Sequence, residues 1–257
     1  MTMADPSVSQ LITCRVTLLL LSLLSCCLIS SWGGTEPVFR EPFDESALPS
    51  GVRLGHAQDG VNGTFGRFEG VVPGRRLSLP QPIVGDYTLT AWLRTSEWIE
   101  EGASGFGERT PPTILALYDT EINAPVIFRV HAASPQIAVS RNGSWASVSS
   151  WHGLPLRQWV HVALVREGPT VSFYLNGVLD LTTRLHRCDK PLRFLRVGTI
   201  SKRTFNGDLD EVTVWDTALA DAQIAAMVPD AWRSRVSEFP VYVPQPKRPV
   251  YSGRELR

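Results

Sequence analysis

Trp159-Val-His-Val-Ala-Leu-Val-Arg166, Glu167-Gly-Pro169, Thr170-Val-Ser-Phe-Tyr-Leu175, Asn176-Gly177 and Val178-Leu-Asp-Leu181 follow one another without interruption. Apolar and polar residues alternate in each run, the period of a strand with one face packed on a core. Asn176-Gly177 is a two-residue hairpin turn, because both residues accept the positive φ that such a turn demands. Phe205-Asn-Gly-Asp-Leu-Asp-Glu-Val-Thr-Val-Trp215 follows, and Ala218 to Met227 is the one helical pattern. Further strand patterns cover Tyr87 to Thr95, Thr113 to Tyr118, Val126 to Ala132, Gln136 to Arg141, Trp145 to Ser149 and Arg193 to Ile200. In the first of these, Tyr87, Leu89, Ala91 and Leu93 share a face. Short strands at this frequency, separated by Gly, Pro and Asn turns, predict an all-β sandwich or barrel with no fixed-period repeat.

In order and spacing, Tyr87-Thr-Leu-Thr-Ala-Trp-Leu-Arg94, Trp159-Val-His-Val-Ala163, Phe173-Tyr-Leu-Asn-Gly177, Val197-Gly198 and Phe205 to Ile224 resemble the laminin-G-like, concanavalin-A-like lectin/glucanase jelly roll. The resemblance spans roughly Pro37 to Val228. It implies a sandwich of two antiparallel sheets with one short C-terminal helix. Activity does not follow from it, because the same fold serves lectins, adhesive modules and accessory domains of enzymes. Relatives place Ser and Glu where this chain has Ala220 and Gln223, so the capping box at the helix start lacks its hydroxyl; Thr217 offers a cap one turn earlier.

Three segments are expected. Residues 1–33 read as a signal peptide, or a signal anchor, because Arg15 precedes an apolar run from Val16 to Ser30 that is shorter than the ~20 residues of a membrane span. Residues 34–230 form the jelly-roll domain, and 231–257 a basic, Pro-rich tail whose Val243-Pro-Gln-Pro-Lys-Arg-Pro-Val-Tyr251 has polyproline character. Cys14, Cys26 and Cys27 fall in the first segment and leave Cys188 alone, so the sandwich rests on its core without a disulfide, Cys188 acting as a small hydrophobe.

Lys plus Arg equals Asp plus Glu at 25 each, and no basic stripe with interleaved aromatics appears in the domain, which argues against a nucleic-acid partner. Glycoside hydrolysis needs two carboxylates across the scissile bond, and the strand candidates lack the Glu-x-Asp-x-x-Glu and Glu-x-Asp-x-Glu spacings of laminarinase-type relatives. Ser96 to Pro112 is a polar, Gly-rich loop carrying Trp98 and Phe106, a candidate contact surface. Trp145 and Trp151 are further candidates for stacking on sugar rings. Trp92, Trp159 and Trp215 are assigned to packing, and His161 to the less buried face of its sheet. Asn206, Asp208 and Asp210 recur at alternate positions, and the resemblance makes Asp210 the one matching candidate for a calcium ligand. Against that stands a structural role, Asp210 binding backbone amides while Glu211 meets solvent or an arginine. Asn62 and Asn142 head glycosylation sequons in a eukaryotic secretory pathway. The expected function is an exported, non-catalytic recognition module for carbohydrate or a glycosylated surface, with a glycan or cell-surface protein as partner and membrane contact only through an uncleaved leader. The alternative is a protein-interaction or assembly subunit, with a glycan hydrolase last.

Overall fold

The computed structural model describes residues 36–41, 43, 52–56, 61, 63–68, 76–96, 112–120, 123–198 and 205–241. Fourteen strands are present among them: β1 (Phe39–Glu41), β2 (Val52–His56), β3 (Thr64–Phe68), β4 (Arg76–Ile83), β5 (Tyr87–Thr95), β6 (Thr113–Tyr118) and β7 (Val126–His131), then β8 (Ser134–Arg141), β9 (Ser144–Ser149), β10 (Val160–Glu167), β11 (Thr170–Leu175), β12 (Val178–Arg184), β13 (Leu192–Val197) and β14 (Gly207–Trp215). The larger sheet runs β12-β11-β10-β5-β14-β3-β2, with β1 also pairing β14. The smaller runs β4-β13-β6-β7-β8-β9. Neighbours are antiparallel throughout. This is the jelly-roll sandwich expected from the sequence.

Alternation places one face of each sheet inward. Tyr87, Leu89, Ala91 and Leu93 of β5 meet Val160, Val162 and Leu164 of β10 and, from the other layer, Leu115, Leu117, Phe128, Ile137 and Val139. Burial of each such side chain contributes roughly 1.5–3 kcal/mol, so the inter-sheet layer dominates stability. One end of that layer is closed by a charge: Arg166, inward on β10 and almost wholly buried, donates from Nη2 to the carbonyls of Leu185 and His186 at 2.9 and 2.5 Å. Desolvation lowers its pKa, yet a guanidinium stays charged, and its field opposes the burial that raises the pKa of the neighbouring Tyr87 phenol. Gly198, at φ +78°, turns the chain out of β13 with Phe68 so near that a Cβ would sit 2.1 Å from its ring.

The outer face of the larger sheet is roofed by the segment after β14. Helix α1 (Asp221–Ala226) seats Ile224 on Ala163, Val165, Tyr174 and Trp215. Its N-cap is Ala220, with no side-chain acceptor; only the reciprocal half of the box forms, as Ala220 N–H donates to Gln223 Oε1 at 2.9 Å. Helix α2 (Asp230–Arg233) sets Trp232 edge-on against Trp92 with ring centroids 5.3 Å apart, and a 3-10 turn (Ser234–Glu238) leads to Phe239. Val236 and Phe239, 8% and 7% exposed, belong to the main core. The packed domain therefore continues past residue 230, into what the composition had suggested was tail.

That roof also reverses the expectation for His161. It is 3% exposed and lies edge-on to Trp92, and burial lowers its pKa to about 3, so the imidazole is neutral. Trp92, Trp159 and Trp215 are buried, as packing residues should be. Cys188 is half-buried against the core, and burial raises the thiol pKa.

Candidate binding site on the smaller sheet

Among the described residues no helix packs on the smaller sheet as α1 does on the larger one. The outer face of the smaller sheet is built by the alternate positions that do not enter the core. Strand register sets them in rows: Arg196, Ala116, Ile127, Ala138 and Ser147 lie side by side on consecutive strands. A neighbouring row holds Arg129, Gln136 and Ser149, and on the other side Trp145 faces Ser140. Small residues at Ala138 and Ser147 leave a low strip between the tall indole and the polar row. The result is a pocket of ≈ 180 Å³ lined by Ile127, Arg129, Ala138, Trp145, Ala146 and Ser147.

The polar wall is held in place, and the indole stands opposite it. Trp145, on edge strand β9, is 53% exposed. Arg129 donates from Nε to Gln136 Oε1 at 2.8 Å, and Gln136 Nε2 donates to Ser149 Oγ at 2.9 Å. This relay fixes the Gln136 amide orientation and engages the guanidinium through Nε. Partial burial lowers the arginine pKa without discharging it. On the same face the Arg196 guanidinium lies over the Tyr118 ring at 5.4 Å, and that of Arg76 over Phe194 at 4.9 Å. The strands of this sheet contain no Asp or Glu. An indole beside a fixed fork of donors can stack a ring and hydrogen-bond its substituents.

Trp151 is also exposed, at 56%, but lies past the far end of β9. Six residues at roughly 3.4 Å each separate it from Trp145, so the two indoles do not share a pocket. Its loop is pinned by Asp180 of β12, whose side chain is 1% exposed. The carboxylate accepts from Ser150 Oγ at 2.5 Å, Trp151 N at 2.6 Å and His152 N at 3.3 Å, and also contacts His152 Nδ1. No local signal in the sequence marks Asp180; it is simply a polar residue at an edge-strand position.

The other candidates lie elsewhere. Trp98, Phe106 and Asn62 are outside the described residues. Asn142 occupies the tip of the β8–β9 hairpin at φ 51°, exposed. Asp210 is fully buried beneath a bulge in β14, its Oδ1 accepting the Glu211 amide at 2.8 Å. Glu211 takes a bidentate pair from Arg40 at 2.8 and 2.9 Å. Asp208 is clasped by Arg67 and Arg94 at 2.9 and 2.7 Å. Among the described residues no group of three or more His, Cys, Asp or Glu side chains is placed to hold a metal ion.

The two antiparallel sheets and their register define a concanavalin-A-like β-sandwich. The laminin-G form of the family described as the concanavalin A-like lectin/glucanases superfamily matches residues 74–225, more than half of the chain, and the protein belongs to that family. Among solved structures it is similar to domain 4 of AbnA, an extracellular arabinanase from Geobacillus stearothermophilus solved with arabinotriose, at 15% identity and TM-score 0.53, covering 74% of this chain and 87% of that one. It is also similar to the receptor-binding domain of a botulinum neurotoxin C/D mosaic serotype, at 13% identity and TM-score 0.55, covering 74% of this chain and 50% of that one. A third is the botulinum neurotoxin serotype D ligand-binding domain solved with N-acetylneuraminic acid, at 13% identity and TM-score 0.50, covering 74% and 45%. The chain thus spans about half the length of the toxin domains. No curated protein matches it. At these identities the likeness establishes the fold.

Proposed function

We propose that the protein is an exported, non-catalytic glycan-recognition module that binds on the outer face of its smaller sheet. One observation carries this reading: a half-exposed indole, Trp145, stands over a pocket whose opposite wall is an ordered row of polar side chains, Arg129, Gln136 and Ser149. A sugar ring has an apolar face for the indole and hydroxyls for the donors. The sugars bound by the arabinanase domain and the serotype D toxin domain make glycans the first ligand class to test. Export rests on the leader-like run from Val16 to Ser30. A glycan array with Trp145→Ala tests the site: specific retention of a sugar by the native protein, reduced at least tenfold in the variant, is the expected result. Retention unchanged by Trp145→Ala would show that the pocket is not the site.

A protein-interaction role draws on a different feature, the solvent-facing Val178 and Leu179 on edge strand β12, where a partner strand can pair. A protein partner that co-purifies equally well with Trp145→Ala, and is lost with Leu179→Lys, would favour it.

A further inference from the structure

The six strands of the smaller sheet carry Arg76, Arg129, Arg141, Arg193 and Arg196 and not one carboxylate, although the whole chain has equal numbers of acids and bases. Arg141 is spoken for by Asp189 at 2.7 Å near the β8–β9 hairpin. Arg129 and Arg196 stand on the pocket face, two strands and one row apart, or roughly 12 Å at the usual strand spacing and rise. Their recorded partners are a side-chain amide for the first and an aromatic ring for the second. Arg196 Nε is buried with no hydrogen-bond partner. We propose that the ligand of this face is an anionic sugar, its carboxylate or sulfate group received by Arg129 while its ring lies against Trp145.

The physical case starts with what Arg129 is bonded to. Gln136 occupies Nε only, with a neutral acceptor, so the guanidinium keeps its full charge and the outer nitrogens of its fork. A planar two-oxygen anion meets such a fork bidentately, and the hydrogen bonds so formed are about twice as strong as neutral ones. Partial desolvation, seen in the lowered pKa, strengthens the attraction because the local dielectric is below that of water. Arg196 adds a second fixed charge along the same low strip of Ala116, Ile127 and Ala138, directing a longer polyanion across the strands rather than along them. The strands of this face supply no carboxylate to repel an anion, and a neutral sugar gains nothing from the two charges.

This inference rests on the glycan reading above, and the test separates the two. Binding of the full-length protein is measured by calorimetry to oligogalacturonate (carboxylate only), to sulfated dextran oligosaccharide (sulfate only) and to unmodified dextran of similar length, with inorganic polyphosphate as a non-sugar polyanion. The expected result is binding to at least one charged oligosaccharide at least tenfold tighter than to dextran, weakening as ionic strength rises. Arg129→Gln is expected to cut that charged-to-neutral ratio at least tenfold, with Arg129→Lys between it and the native protein. Should Arg129→Gln fail to fold, the salt dependence of the native protein and the Arg196→Gln variant supply the same comparison. A neutral glycan bound as tightly as the charged ones, with loss in Trp145→Ala, would overturn the anionic inference and leave glycan recognition standing. Polyphosphate bound as tightly as the charged sugars, with no effect of Trp145→Ala, would remove both.

Discussion

Replacing Asp180 tests whether one buried carboxylate orders the loop that displays Trp151. The carboxylate serves Ser150 Oγ, the amides of Trp151 and His152, and the His152 ring. Hydrogen bonds to a charged group contribute about 1.5–3 kcal/mol each, but water can reach the neighbouring exposed groups and recover part of that. Asp180→Ala is therefore expected to cost about 3–5 kcal/mol, below the ~6 kcal/mol at which a simple sum over four partners begins. Asp180→Asn keeps one acceptor oxygen for Ser150 and the Trp151 amide and is expected to cost about 1–2 kcal/mol. For a domain of this size each kcal/mol moves Tm by roughly 2–4 °C, so Asp180→Ala should melt roughly 6–20 °C lower. Urea unfolding gives the free energies, and amide exchange at Trp151 and His152 shows whether the loss is local. Asp180→Ala within 1 kcal/mol of the native protein (roughly one hydrogen bond), with both amides still protected, would refute the reasoning.

Gly198→Ala puts a methyl against Phe68 at a φ of +78°, so strain and clash act together; a loss of about 3 kcal/mol or more, or no cooperative melt, is expected in calorimetry. His161 has a folded pKa of about 3 against an ordinary value of 6.5, so below pH 6.5 the unfolded chain takes up a proton that the folded protein refuses. Its contribution to stability is thus unchanged above pH 6.5 and falls as pH drops toward about 3, by roughly 1.4 kcal/mol per pH unit at most. Urea titrations across that range should show a shallower acid slope for His161→Gln, and an identical slope would contradict a buried neutral imidazole.

Strands from Tyr87 onward could be read because their alternation is regular and their turns are marked by Asn-Gly and Gly-Pro. β4 was missed for a physical reason: Pro80 and Pro82 argue against a central strand, and the structure uses it at the edge of its sheet, where two missing donors are tolerated. β1, with three residues, is too short to show a period. His161 was misplaced because alternation reveals which side faces the other sheet, whereas the roof over the opposite side comes from Trp232, seventy-one positions later. The site was legible in the same partial way. An exposed Trp145 on a short strand could be picked out, but Arg129 and Gln136 become its neighbours only through the register of β7, β8 and β9, which no local pattern specifies.

The stretch from Pro229 to Val241 behaves as a strap as well as a roof. Trp232 covers Trp92, Phe239 enters the core, and Pro240 returns a carbonyl to the Gly153 amide at 2.6 Å while Val241 bridges His152. Cutting the gene at the end of the helical pattern, near Met227, would therefore strip an aromatic lid and leave sticky indoles facing water. A reporter or affinity handle placed after Val241 leaves each of these fastenings intact.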